Sequence, residues 1–144
     1  MQGGGSWLAD NQAYISDSEP IDAYGLEWRW GAGRKSLQGR LFAVAAGRET
    51  GTVAELRILW HPGDQQAQVF KYGSDGTLGI GLLSPTSEGG MRLEQVSHAP
   101  DGSAHSVRYE ETLEADGARI STAFLETPSG WTAERTYVWL PRAE

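Results

Sequence analysis

The chain reads as an all-β protein, an antiparallel up-and-down barrel of about eight to ten strands, and three observations carry that reading. Apolar and polar residues alternate with period 2 through most of the sequence, and no segment of twelve or more residues sustains a helical period. Turn signals recur at short intervals between the alternating segments. Glycine (19) and tryptophan (6) are both abundant for 144 residues, which suits tight turns and aromatic strand packing better than a helical bundle. A meander of this many strands cannot stay flat, because strand twist curls it until its edges meet. A two-sheet sandwich is the second architecture the pattern allows.

Strands are expected at about 11–17, 24–30, 37–45, 52–60, 65–72, 77–83, 90–98, 104–113, 118–126 and 131–140. Residues 1–10 and the segment DSEPIDA (17–23) break the alternation, and Pro20 makes the latter a loop or a strand break. In YGLEWRW, Leu26, Trp28 and Trp30 share one face and Glu27 and Arg29 the other. The next strand runs between the turns GAGRKS and AGRETG. TVAELRILW sets Ala54, Leu56, Ile58 and Trp60 against Glu55 and Arg57, and HPGD ends it. Within 77–83, Gly79 and Gly81 are expected to mark a bend or a bulge. In SVRYEETL, Val107, Tyr109 and Leu113 oppose Arg108, Glu110 and Thr112. In ERTYVWL, Arg135, Tyr137 and Trp139 oppose Glu134, Thr136, Val138 and Leu140. Asp-Gly pairs at 75, 101 and 116 predict type I′ hairpin turns, which need positive φ at both central positions; SEGG and PSGW supply further turns.

The length fits one domain over residues 1–144. The chain contains no cysteine, so disulfides, thiolate metal sites and a cysteine nucleophile are all excluded. MQGGGSW has neither a basic nor an apolar leader region, and with the lack of cysteine this gives a cytoplasmic expectation. The formal charge of −7, with no basic stretch denser than GRKSLQGR, argues against nucleic acid and anionic membranes as partners. A homodimer is among the assemblies the pattern allows. GAG and GIG precede no helix and match no phosphate or dinucleotide loop, and no cofactor is expected. No G-x-S-x-G is present, and His61, His98 and His105 are too scattered for a metal site.

The pairs Glu27/Arg29, Glu55/Arg57, Arg92/Glu94 and Arg108/Glu110 are expected to form a cross-strand charge ladder on the outer surface. The aromatic and aliphatic parity partners then face inward. The expected ligand-binding residues are Trp28, Trp30, Leu56, Ile58, Trp60, Tyr72, Tyr109, Phe124 and Tyr137. The leading function is binding of a small, mostly apolar molecule inside the barrel. The alternatives are a cofactor-free isomerase, cyclase or hydratase on the same scaffold, and a structural barrel whose interior is filled. For the enzyme, His61 (oriented by Asp64), Tyr72, Glu27 and Arg29 are the proton-transfer candidates.

The meander, together with Gly5, Ser6 and Trp7 in GSW, resembles the lipocalin and fatty-acid-binding (calycin) group, whose signature is Gly-x-Trp on the first strand. The phrases YGLEWRWG, LQGRLF, ILWHPG and YGSDGTLGIG, over residues 24–81, are similar to bacterial lipocalin-like proteins of unassigned role. The resemblance implies that Trp7 plugs one end of a barrel. Secreted lipocalins carry an export signal and usually a disulfide; MQGGGSW gives no expectation of the first, and the absence of cysteine excludes the second. The loop at 17–23 is too short for the helical pair that caps fatty-acid-binding proteins. The last strand carries Tyr137 and Trp139 where haem-carrying members place a histidine, so a haem role has no support.

Overall fold

A computed structural model describes residues 4–142; the opening Met-Gln-Gly of MQGGGSW lies outside the described residues. The ten strands are β1 (Gly5–Asp10), β2 (Ala23–Trp30), β3 (Ser36–Ala45), β4 (Arg48–His61), β5 (Gln66–Gly73), β6 (Leu78–Pro85), β7 (Met91–His98), β8 (Ala104–Leu113), β9 (Arg119–Thr127) and β10 (Gly130–Pro141). Each pairs antiparallel with the next, and β1 pairs with β10, so the sheet is a closed up-and-down barrel. Closure leaves no edge strand to solvent, as the meander argument anticipated.

Nine strands lie where the alternation places them, and the first does not. The expected strand at 11–17 is instead a short 3-10 turn (Gln12–Tyr14) and an isolated bridge between Ser16 and Glu19. The true first strand is GSWLAD, which joins Trp7 to Leu26 on one side and to Pro141 on the other. Three flanking glycines and only six residues hid its alternation.

The turns also differ from expectation in type. At Asp75-Gly76, Asp101-Gly102 and Asp116-Gly117 only the glycine has positive φ, at 86°, 87° and 88°. Each is a three-residue loop closed by two backbone bonds, as in Gly76 N–H to Gly73 O at 3.0 Å and Gly73 N–H to Thr77 O at 2.8 Å. The aspartate acts as an acceptor two residues on: its Oδ1 takes the N–H of Thr77 (2.9 Å), Ser103 (2.8 Å) or Ala118 (2.9 Å). The Thr77 N–H holds the carboxyl of Asp75 below its usual range, and the Ser103 hydroxyl, with its N–H, does the same for Asp101. Positive φ at both central positions occurs at Ala46 (51°) and Gly47 (74°), between β3 and β4. There Ala46 N–H donates to Asp22 Oδ2 at 2.7 Å, which helps fix an alanine in the left-handed region.

The outer face carries the charge ladder. Arg40 pairs with Glu27 (3.1 Å), Arg92 with Glu110 (2.9 Å) and Arg108 with Glu94 (2.7 Å), while Arg29 Nε donates to Gln38 Oε1 (3.2 Å). Among the described residues, one large side chain is buried on this face. Phe42 is almost fully covered, and a Cβ on Gly25 would stand 2.0 Å from its ring. Glycine at 25 therefore leaves the notch that the ring fills, and the Arg40 guanidinium covers it at 4.5 Å.

The inner face is packed on one side. Trp7, Ala9, Trp28 and Trp139 form a buried cluster, and Tyr24, Leu26, Leu37, Leu41, Leu56, Ile58 and Tyr137 pack against it. All come from β1–β4 and β10. Gly39 makes room for the Trp28 ring, since a Cβ there would meet it at 2.7 Å. No bulge accompanies Gly79 or Gly81: the β5–β6 and β6–β7 registers run without a shift. Their role is close approach instead. A Cβ on Gly79 would meet the Gln95 amide at 2.9 Å, and one on Gly81 would meet the Glu94 carbonyl oxygen at 2.1 Å.

Candidate functional site

The barrel interior is not filled. A cavity of about 1110 Å³ runs from the one-sided core across to β5–β9. That volume lies just above the roughly 300–1,000 Å³ range of small-molecule sites. Its wall is mostly aliphatic and aromatic, with Trp7, Leu26, Trp28, Leu41, Leu56, Ile58, Val69, Leu93 and Tyr109 all contributing. Its lining reaches the upper end of the barrel at Gly89, Gly90 and Gly117, in the turns after β6 and β8. The interior is thus a cavity and not the filled core that the sequence also allowed.

Of the nine residues expected to bind ligand, Trp28, Leu56, Ile58, Tyr109 and Tyr137 line this cavity. Trp30, Trp60, Tyr72 and Phe124 do not. Trp30 and Trp60 have the inward parity but lie at strand ends, beyond the enclosed part of the barrel, and Trp60 is 59% exposed. The Arg34 guanidinium stands over Trp30 at 5.3 Å. Tyr72 pairs in register with outward Glu55, and Phe124 with outward Arg108, so both rings point away from the interior. The four proton-transfer candidates are likewise outside. Glu27 and Arg29 belong to the outer ladder, and Tyr72 is on that same face. His61 is exposed at the end of β4, where its Nδ1 accepts the Asp64 N–H at 3.0 Å.

Sequence reasoning missed the polar groups of the cavity. Arg119 and Glu111 form an ion pair on its wall, with Arg119 12% exposed and lying over the Trp7 ring at 4.9 Å. Trp7 is thus a buried wall residue packed between the Arg119 guanidinium and the core. Trp139 Nε1 donates to Ser121 Oγ at 2.9 Å. The Lys71 ammonium stands 5.4 Å from the Tyr109 ring. The indole N–H groups of Trp7 and Trp28 are buried with no hydrogen-bond partner among the described residues.

At the lower end, the loop between β1 and β2 folds against β10 and ties it down through charge. Arg135 donates from Nη1 to Glu19 Oε2 and from Nη2 to Glu19 Oε1, both at 2.9 Å. Asn11, fully buried, donates to Glu19 Oε2 and to the Ile21 carbonyl, each at 2.9 Å, and accepts the Tyr137 hydroxyl at 2.7 Å. Arg135 also donates to the Tyr137 oxygen at 3.0 Å. The Tyr14 hydroxyl accepts the Thr136 N–H at 2.9 Å, and Arg135 lies over the Tyr14 ring at 4.7 Å. The hydrogen bond from Arg135 lowers the Glu19 carboxyl to about 2 against the opposing effect of burial. Burial first, then the Glu19 charge, raises the Tyr24 hydroxyl to about 12. The Tyr137 hydroxyl is raised chiefly by burial. No sequence pattern could join these residues, because Asn11 and Tyr137 are 126 positions apart.

No protein-family model matches the chain, and no curated protein matches it in sequence. The closed ten-strand antiparallel barrel is consistent with a calycin-type architecture. Among the described residues, no helix is long and apolar enough to cross a membrane.

Proposed function

We propose that this protein binds a small, mostly apolar molecule inside its barrel, as a non-catalytic lipocalin-like carrier. The observation that carries this reading is the cavity of about 1110 Å³, walled by tryptophan, leucine and isoleucine on a closed scaffold. Filling it removes ligand surface from water at about 25 cal/mol per Å², and the scaffold needs little rearrangement to receive it. The Gly-x-Trp of β1, with Trp7 buried in the core cluster, supports the lipocalin-like assignment. The charge of −7 supports a partner that is neither nucleic acid nor an anionic membrane.

Tryptophan fluorescence titrated with a panel of hydrophobic compounds tests the proposal. Trp28→Ala is expected to weaken binding tenfold or more, by removing an aromatic wall and the contacts it makes. Trp60→Phe, off the cavity, is expected to leave affinity unchanged. A wild-type chain that responds to none of the compounds sinks the proposal, as does a Trp28→Ala chain that binds as well as wild type.

A further inference from the structure

A second chamber of about 340 Å³ opens at the lower end of the barrel, on the β4–β9 side, and its character differs from the first. Gln95, Ser97, His105 and Asp75 line it, and Val53, Lys71, Tyr109, Ala123 and Glu134 line both chambers and so form the neck between them. Gln95 (6% exposed) and Ser97 (8%) are buried polar side chains on the inner face of β7. Gln95 Oε1 has no hydrogen-bond partner among the described residues. A buried acceptor left unpaired is costly and rare, so it asks for a donor. The neighbouring strand leaves room for this amide: Gly79 has no positive φ to require a glycine, and a Cβ there would stand 2.9 Å from the Gln95 amide nitrogen, so the amide would have to shift.

From this we infer that the ligand is two-part, with an apolar body in the large chamber and a neutral head bearing a hydrogen-bond donor, a hydroxyl or primary amide, on Gln95 in the small one. The inference rests on the proposed binding function and narrows its ligand class. A donor head meets the Gln95 carbonyl oxygen once the amide turns about its last torsion toward the chamber, because the oxygen is shielded where it stands. Such a head can accept in return from the Ser97 hydroxyl. A carboxylate head has no donor to offer, and would leave Gln95 Oε1 as it is. Alcohol over hydrocarbon is therefore the preference the chamber imposes, and alcohol over carboxylate is the preference that separates Gln95 from Lys71 as the group that selects.

The test titrates the full chain at pH 7.5 with decane, 1-decanol, decanamide and decanoate, read by tryptophan fluorescence. The alcohol and amide are expected to bind at least tenfold tighter than decane and tighter than decanoate. Gln95→Leu is expected to remove that preference while still binding decane, with folding checked by circular dichroism. Should that variant fail to fold, the side-chain amide resonances of Gln95 in the wild-type chain supply the readout, and they are expected to shift with 1-decanol but not with decane. Equal affinity for all four compounds, tighter binding of decanoate, or a preference that survives Gln95→Leu overturns the head-group assignment and leaves apolar binding standing. Failure of all four to bind overturns both.

Discussion

Two arginine–glutamate pairs of this barrel look alike until their surroundings are compared. Arg135 with Glu19 and Arg92 with Glu110 have nearly equally exposed arginines, at 37% and 40%, and the same closest distance of 2.9 Å. Arg92 sends both its Nε and its Nη2 to one oxygen of Glu110. Arg135 forks across both oxygens of Glu19, which also accepts from Asn11, while Arg135 also donates to Tyr137. The Arg92–Glu110 pair is one of several in a solvated ladder, worth about 0–1 kcal/mol. The Arg135–Glu19 pair is one side of a network that holds the β1–β2 loop to the last strand. The exposure of the arginines does not separate them; the number of other groups that depend on each pair does.

The largest effect is expected from Asn11→Ala. It removes three hydrogen bonds at a fully buried site and strands the Ile21 carbonyl and the Tyr137 hydroxyl, for a loss of about 2–4 kcal/mol in urea unfolding. A loss below about 1 kcal/mol would place Asn11 no higher than the ladder.

Acid comes next. The Glu19 carboxyl is lowered to about 2 in the folded chain, so the unfolded chain takes up that proton first as pH falls. The stability it confers is complete above the ordinary carboxylate pKa of about 4.5 and is lost as pH falls from there through about 2. After allowance for the solvent that reaches Arg135, the loss is about 1–3 kcal/mol. Glu19→Gln is expected to flatten that part of the pH profile, and an unchanged acid slope in the variant refutes the assignment.

Gly25→Ala sharpens the comparison from the outer side, because it tests the one large side chain buried there. A methyl 2.0 Å from the Phe42 ring forces that ring out of its notch, at about 1–3 kcal/mol. Gly25→Ala with Phe42→Leu should recover part of the loss, measured by thermal unfolding. The smallest effect is reserved for the ladder: a double-mutant cycle on Arg92 and Glu110 is expected to return about 0.2–1 kcal/mol, shrinking in 1 M salt.

How far the sequence reached follows from what period 2 can and cannot encode. Alternation states which face a residue takes, so it placed Trp28, Leu56 and Ile58 inward and Glu27 and Arg29 outward, as found. It is silent about height along the barrel axis. Trp60 has the inward parity and still stands in the open, because β4 is 14 residues long and outruns the enclosed part of the barrel. Where a strand carries no more than one charged residue, as in AQVFKY and STAFLE, even the face was ambiguous, and Tyr72 and Phe124 were placed on the wrong one. The Asn11–Glu19–Arg135–Tyr137 network had no local signature, since closure of the ring alone brings its members together. Gln95 was hidden for the opposite reason: a glutamine among polar neighbours gives no sign that it is buried, and the sign lay one strand away in Gly79.

The pairing of β1 with β10 has a consequence for how the chain reaches this shape. Every other strand finds its partner next door in sequence, but this seam joins Trp7 to Pro141 and Ser6 to Arg142, whose N–H reaches the Ser6 carbonyl at 2.8 Å. Contacts that span so much chain carry the largest loop-closure entropy and form last. During synthesis the first strand leaves the ribosome long before its second partner exists, and waits with one edge unpaired. A circular permutant opened at Asp101-Gly102, with the old ends joined by a short glycine-serine linker, would turn that seam into a local hairpin. It should fold faster than the natural order while keeping the same ten-strand ring.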